Sequence, residues 1–236
     1  AGWGFGDNAL RYTLLSRGAL QLCHYLGWYP DVIHCNDWQT ALVPGYINSV
    51  ERSSELGRAA TLLTIHNLGY QGRYAPDAFG HTGLPWDYFT HLGYEYHDGL
   101  NMLKGGLYHA TLVNTVSPSY AHEIQTPELG EGLDGVLRQR GAHLYGVLNG
   151  IDVEAWDPAT DPHLPSHYSV RSMEGKMRCK QRLRQDLGLY QDDEVPIIAM
   201  GTRLAWQKGI DVVAEAIHRI MERRVQFVLV GPGDPR

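Results

Sequence analysis

Short apolar runs alternate with helical spacings along this chain, the pattern of a layered α/β protein. The run "DVIHC" lies between Pro30 and Asn36-Asp37, "ATLLTIH" covers 60–66, "TLVNTVS" covers 111–117 and "LYGVLNG" covers 144–150. The first two predict buried strands and the others a third and a fourth strand, the last short and ending in a turn. Ala9 to Leu26 carries apolar residues at 15, 19, 22 and 26, which predicts a helix burying that face, with Asp7 and Asn8 as its capping pair. "ALVPGYINSV" (41–50) predicts a helix that Pro44 starts or kinks, "GLNMLKGGLYHA" a second, and Ser117-Pro118 a third with proline in its first turn.

Past Ile151 the composition becomes turn-rich, followed by the polar helix "MEGKMRCKQRLRQDLG" with Gly188 at its C-terminal end. An apolar strand at 195–200 then leads to "GTRLAWQKG". After it come a helix with an apolar face at Ile210, Val213, Ile217 and Ile220 and a strand at 225–230. This is one βαβ unit, which implies a parallel sheet covered on both faces. The boundaries follow: a first domain over 1–150, a connection over 151–194, and the start of a second domain over 195–236. An opening without Met and a close on a strand and glycine turn lead us to expect a fragment.

Composition narrows the partners. The 236 residues are 43% hydrophobic and 19% charged, with a formal net charge of −6. That supports a real core and argues against nucleic acid or an anionic membrane as the main partner, while leaving room for local basic pockets. The 3 cysteines form no CxxC pair and are expected as free thiols. The 12 histidines include no HExxH spacing, so no metal site is expected. No apolar run approaches the roughly 20 residues of a bilayer span, and no signal-peptide pattern opens the chain. The expectation is a cytoplasmic protein.

Four loops at the ends of predicted strands carry the chemistry: Asn36-Asp37-Trp38, His66-Asn67, Asn149-Gly150, and the loop with Arg203 and Lys208. Each alone has an ordinary explanation as a helix cap, a tight turn or a solvated charge. Ligands of open α/β sheets gather at this edge. Asn and Asp suit vicinal hydroxyls, and Trp and Tyr offer flat faces to a sugar ring. The irregular segment 67–99, with Tyr70, Tyr74, Trp86 and Tyr88, is long enough to read as functional. The loop "GTRLAWQKG" holds no acid beside Arg203 and Lys208, so an anionic ligand such as a diphosphate leaving group would supply the counter-charge beside a helix N-terminus. Neither the P-loop pattern nor GxGxxG is present.

At these residues the chain resembles the bacterial glycogen synthase and plant starch synthase family. The resemblance runs through "GDNALRYTLLSRGAL", "DVIHCNDWQTALVPGY", "TIHNLGYQG", "LNMLKGGLYHATLVNTVSPSYAHEI", "GVLNGID", "TRLAWQKG" and "GPGDP". It implies an α/β fold of GT-B type with two Rossmann-like domains, each partly present. It also implies retaining transfer of glucose from ADP-glucose to the non-reducing end of an α-1,4-glucan, with no organic cofactor. In the catalytic set it places Arg203 and Lys208 on the donor diphosphate and Asp7 in the cleft. Around the substrates it places Asn8, Asn36, Asp37, His66, Asn67, Asn149 and Gly150. Many bacterial members have His where this chain has Asn36. The family's Lys-Thr-Gly-Gly-Leu loop and its paired glutamates are not within the chain. A phosphorylase, which would need a pyridoxal-phosphate lysine, and a non-catalytic glucan-binding protein are the alternatives. ADP- against UDP-glucose and the oligomeric state stay open at this point.

Overall fold

The computed structural model describes residues 5–233. The chain divides into two compact units between Gly150 and Ile151. The first contains α1 (Asn8–Leu26), β1 (Val32–Asn36), α2 (Leu42–Asn48), β2 (Ala60–Ile65), β3 (Arg73–Tyr74), β4 (Glu95–Tyr96) and β5 (Gly99–Asn101). It continues with α3 (Met102–His109), β6 (Leu112–Thr115), α4 (Pro118–Glu123), α5 (Asp134–Gln139) and β7 (Leu144–Gly146). Strands β1, β2, β6 and β7 pair in that order, all parallel. Parallel pairing puts every C-terminal strand end on one edge, where the polar loops lie.

Cys35, Leu63, Ile65 and Val113 alternate onto one sheet face and join a core with Leu42, Tyr46, Leu103 and Leu107. Burial pushes the Cys35 thiol up to about 12, so it stays protonated. The opposite face carries Val32, His34, Leu62 and Leu112, and Val32 is 58% exposed at the edge of the sheet. β1 is thus not the buried strand its composition predicts, and the usual second cover of a parallel sheet is missing among the described residues.

The predicted face of α1 is also corrected. Leu15, Leu22 and Leu26 are exposed, whereas Ala9, Thr13, Ser16 and Leu20 are buried. Small side chains let the helix approach the turn after β1, where Ser16 Oγ donates to Gln39 O at 3.3 Å and Tyr12 meets Trp38 edge-on at 4.7 Å. Asp7 occupies the N-cap position, but its side chain makes no capping bond.

Segment 67–99 proves to be partly core. Phe79 and Tyr94 are fully buried. Tyr94 donates to Ala41 O at 3.0 Å, and its ring occupies the space that a side chain at Gly45 or Gly105 would need. Lys104, also buried, donates from Nζ to the carbonyls of His91, Gly93 and Glu95 at 2.7, 2.9 and 2.7 Å. One ammonium thereby pins the loop that presents Tyr94. α5 had no clear sequence signal, and β7 is shorter than the predicted 144–150 strand.

The second unit contains α6 (Glu174–Asp186), β8 (Ile197–Gly201), α7 (Ile210–Met221) and β9 (Gln226–Val230), with β8 and β9 parallel. The residues 151–194 belong to this unit rather than standing apart from it. Gly188 takes the left-handed conformation just past α6, at φ 62°. Ile210, Val213, Ile217 and Ile220 form the half-buried face of α7, as their spacing predicts. β8 is more exposed than its apolar sequence implies, with Ile198 42% exposed, because the sheet has two strands and little cover among the described residues. Arg184, fully buried in an otherwise polar helix, donates to Gln226 Oε1 at 2.8 Å and to Val195 O, joining α6 to both strands' approaches.

Glu51 contributes to the acid sensitivity of the first unit. It accepts from His24 Nε2 at 2.8 Å and Ser54 Oγ at 2.9 Å, and pairs with Arg17 at 3.4 Å. Burial pushes its carboxyl up, but those hydrogen bonds and the charges of His24 and Arg17 outweigh burial and hold it below the ordinary 4.5. The folded state then binds fewer protons than the unfolded chain, so this contribution is complete above pH 4.5 and is lost as pH falls through the lowered value. Glu51→Gln is expected to be less stable at neutral pH and to show a flatter acid dependence. Urea denaturation at neutral and acidic pH checks both.

Candidate functional site

The C-terminal ends of β1 and β2 bring four predicted residues together. Asp37, the residue after β1, has φ 54° and ψ −169°, a region normally reached by glycine and costing about 1–3 kcal/mol elsewhere. The strained backbone turns its carboxylate across to the next strand. Oδ1 accepts from the His66 amide at 2.8 Å and, more weakly, from the Asn67 amide at 3.5 Å. His66 Nε2 lies 2.9 Å from Asn36 Oδ1. An amide oxygen can only accept, so Nε2 is the donor in this contact. Asn67 Oδ1 accepts from Gly69 N at 2.9 Å, turning the chain toward Tyr70.

Two supporting residues escaped the sequence reading. The Thr40 hydroxyl accepts from Asn36 N at 2.6 Å and donates to Asn36 O at 2.9 Å, closing the loop after β1. The Tyr120 phenol accepts from Leu68 N at 3.1 Å, and burial raises its pKa. Thr40 lies close enough in sequence to have been found as a loop-closing hydroxyl. Tyr120 comes from α4 and gave no local signal. On the same sheet face, His34 Nε2, Thr64 Oγ1 and Asn114 Oδ1 form a polar row across three strands, with steps of 2.7 and 2.6 Å.

Asp7 and Asn8 lie at the start of α1, and no bond joins them to the strand-end group among the described residues. Asn8 is buried and accepts from Arg11 Nη1 at 3.3 Å, while Asp7 is exposed. Asn149 and Gly150 are exposed and outside any strand or assigned turn. The tight turn expected there does not form.

Arg203 and Lys208 lie in the second unit, beyond β8. Both side chains are exposed, and no ion pair or side-chain hydrogen bond to either is found among the described residues. A single turn of 3-10 helix, Trp206–Lys208, precedes Gly209 and α7. The loop is backed by the "GPG" segment: Leu204 N donates to Pro232 O at 2.8 Å, and a side chain at Gly231 would overlap the Thr202 carbonyl. The next two residues of the "GPGDP" motif, Asp234 and Pro235, fall outside the described residues. This arrangement leaves two cations beside a helix N-terminus, suited to a polyanion.

The comparisons with known proteins agree in kind. A family model described as the starch synthase catalytic domain matches residues 1–139. Glycogen synthase 1 of Geobacter sulfurreducens is 49% identical over 98% of this chain and 46% of its own length. The glycogen synthase of Anaeromyxobacter sp. (strain Fw109-5) is 50% identical over 98% of this chain and 49% of its own. Among solved structures, the catalytic domain of Starch Synthase IV from Arabidopsis thaliana, bound to ADP and acarbose, aligns with TM-score 0.91 and 36% identity. That alignment covers 99% of this chain and 48% of the Arabidopsis chain. The expected α/β fold of GT-B type is met, and the chain spans about half the length of the curated relatives it matches. Among the described residues, no helix is long and apolar enough to cross a membrane.

The strand-end bonds can be tested by stability. Asp37→Ala, which keeps a side chain on the strained backbone and removes the acceptor, is expected to cost about 1–3 kcal/mol. Asp37→Asn, which retains an acceptor oxygen, should lose less than half as much. Equal losses in urea denaturation would count against the carboxylate bridge.

Proposed function

The chain belongs to the starch synthase catalytic-domain family, and on that premise we propose that the protein containing it transfers glucose from ADP-glucose to the non-reducing end of an α-1,4-glucan. The observation that carries this reading is the exposed pair Arg203 and Lys208, without acidic partners among the described residues, in the loop after a parallel strand. The Arabidopsis relative, bound to ADP and acarbose, supports a nucleotide and an oligosaccharide-like ligand as the two partners. In this reading 1–150 is the later part of the first catalytic domain, 151–194 leads out of it, and 195–236 opens the nucleotide-sugar domain.

The residues divide the work by charge. Arg203 and Lys208 hold the diphosphate and stabilise the negative charge that grows on it as the C1–O bond breaks. Asn36, Asp37, His66 and Asn67 meet sugar hydroxyls, with the His66 Nδ1 and the Asn67 amide as the groups that face substrate. Asp7 and Asn8 line the substrate path, and Asn149 and Gly150 follow the last strand of the first domain. No organic cofactor is needed, because the leaving diphosphate takes the proton from the incoming hydroxyl. Attack on the face that the leaving group vacates then retains the anomeric configuration. The three free cysteines accord with a cytoplasmic setting.

In the full-length protein, Arg203→Ala and Lys208→Ala are each expected to lower kcat by roughly 10²–10³-fold. Steady-state release of ADP with a maltooligosaccharide acceptor measures this, and unchanged kcat in both would refute the proposal. The 236-residue chain by itself is expected to release no ADP above background in the same assay.

A further inference from the structure

The loop that carries His66 and Asn67 is held by more than Asp37. Leu68, the next residue, has its side chain in the core. Its N–H donates to the Tyr120 hydroxyl and its carbonyl accepts from Gln71 Nε2, both at 3.1 Å. Gly69 N donates to Asn67 Oδ1 at 2.9 Å, and Tyr70 N to Asn67 O at 3.2 Å. Each backbone amide from 66 to 70 thus has an acceptor within the protein. A surface loop ordinarily moves more than the elements it connects. Here His66 and Asn67 are presented from a backbone that is tied at every residue.

Gln71 joins this loop to three other segments. Its side chain is buried, and a buried primary amide has two N–H donors and an oxygen to satisfy. Nε2 donates to Leu68 O and, at 3.0 Å, to Glu131 O. Oε1 accepts from Asn101 Nδ2 at 2.7 Å and from Arg73 Nε and Nη2 at 2.9 and 2.7 Å. Carbonyls face one end of the amide and N–H groups the other, so its partners fix its orientation. The segments that meet on it are the His66 loop, β3 through Arg73, the N-cap of α3 through Asn101, and the turn at Glu131.

That turn needs outside support. Glu131 and Gly132 are both left-handed, at φ 50° and 77°, a conformation that disfavours the Glu side chain. The Glu131 carbonyl is held by Gln71 Nε2 and by Arg73 Nη2 at 3.2 Å. The turn also stands close to the strand-end group. Burial raises the Tyr120 phenol, and the charges of Glu131 and Asp37 raise it further against the opposing bond from the Leu68 amide.

We infer that Gln71 is a positioning residue for sugar recognition: its two amide hydrogens lock the His66–Asn67 loop to the Glu131 turn and so set where those two side chains meet a hydroxyl. The inference rests on the glucose transfer proposed above. Gln71 is buried and acts through its neighbours. A displacement of about 1 Å at a positioned group can cost ~10²-fold in rate.

The test uses the full-length protein, with ADP-glucose and a maltooligosaccharide acceptor. Gln71→Glu keeps the size and the oxygen that faces Asn101 and Arg73, but turns a second oxygen toward the two carbonyls. Gln71→Met removes the polar group at similar volume. A thermal melt identifies the variants that are folded at the assay temperature. In folded variants kcat is expected to fall roughly ten- to hundredfold. Affinity for ADP, which the proposal assigns to Arg203 and Lys208, should stay within about twofold of wild type. A kcat within about twofold of wild type in either folded variant overturns the inference. So does a loss of ADP affinity as large as the loss of kcat, or a failure of both variants to fold, since either makes Gln71 a general support of the structure. A wild-type protein that forms no α-glucan product from ADP-glucose would instead overturn the function on which the inference rests.

Discussion

Parallel strand pairing is the constraint from which the candidate chemistry follows. It forces successive strands to end on the same edge, so loops separated by dozens of residues become neighbours. In the first unit this sets Asn36 and Asp37 beside His66 and Asn67. In the second it sets the Arg203 loop beside the glycine segment after β9, which backs it. The apolar strands bring the edge together through their packing, and its polar residues both bond one another across it and present their remaining polar atoms to a ligand.

That edge is kept in place by a few costly local arrangements. Asp37 occupies a backbone region that disfavours side chains, and its carboxylate offsets the cost by capping the amides that open the next loop. Lys104 is taken out of water and compensated by three carbonyls, which orders the segment presenting Tyr94. Tyr94 in turn bonds Ala41, directly after the turn that follows Asp37. Hydrogen bonds and the backbone between them thus connect a buried ammonium to the turn that follows the strand-end group.

Much of this was legible in the sequence, and the failures have physical reasons. Strand positions and the half-buried face of α7 follow from apolar periodicity, which burial enforces directly. The grouping of Asn36, Asp37, His66 and Asn67 follows from strand order alone. Periodicity points to the wrong face of α1 because its contacts use Thr13, Ser16 and Leu20, while Leu15, Leu22 and Leu26 remain exposed. Length and aromatic content mark the segment 67–99 as functional, yet its Phe79 and Tyr94 serve the core. Tyr120, Lys104 and Arg184 act through partners distant in sequence, and a single sequence carries no mark of such pairings. The resemblance to a known family, by contrast, named Arg203 and Lys208 from a short local motif, whose backbone is shaped by β8 and the turn before α7.

The central claim is that two cations beyond β8 exist to meet a diphosphate. A crystal structure of the full-length protein with bound ADP addresses it most directly. The account predicts the Arg203 guanidinium and the Lys208 ammonium within hydrogen-bonding distance of the phosphate oxygens, about 2.7–3.2 Å. ADP bound with both side chains turned into solvent would contradict it.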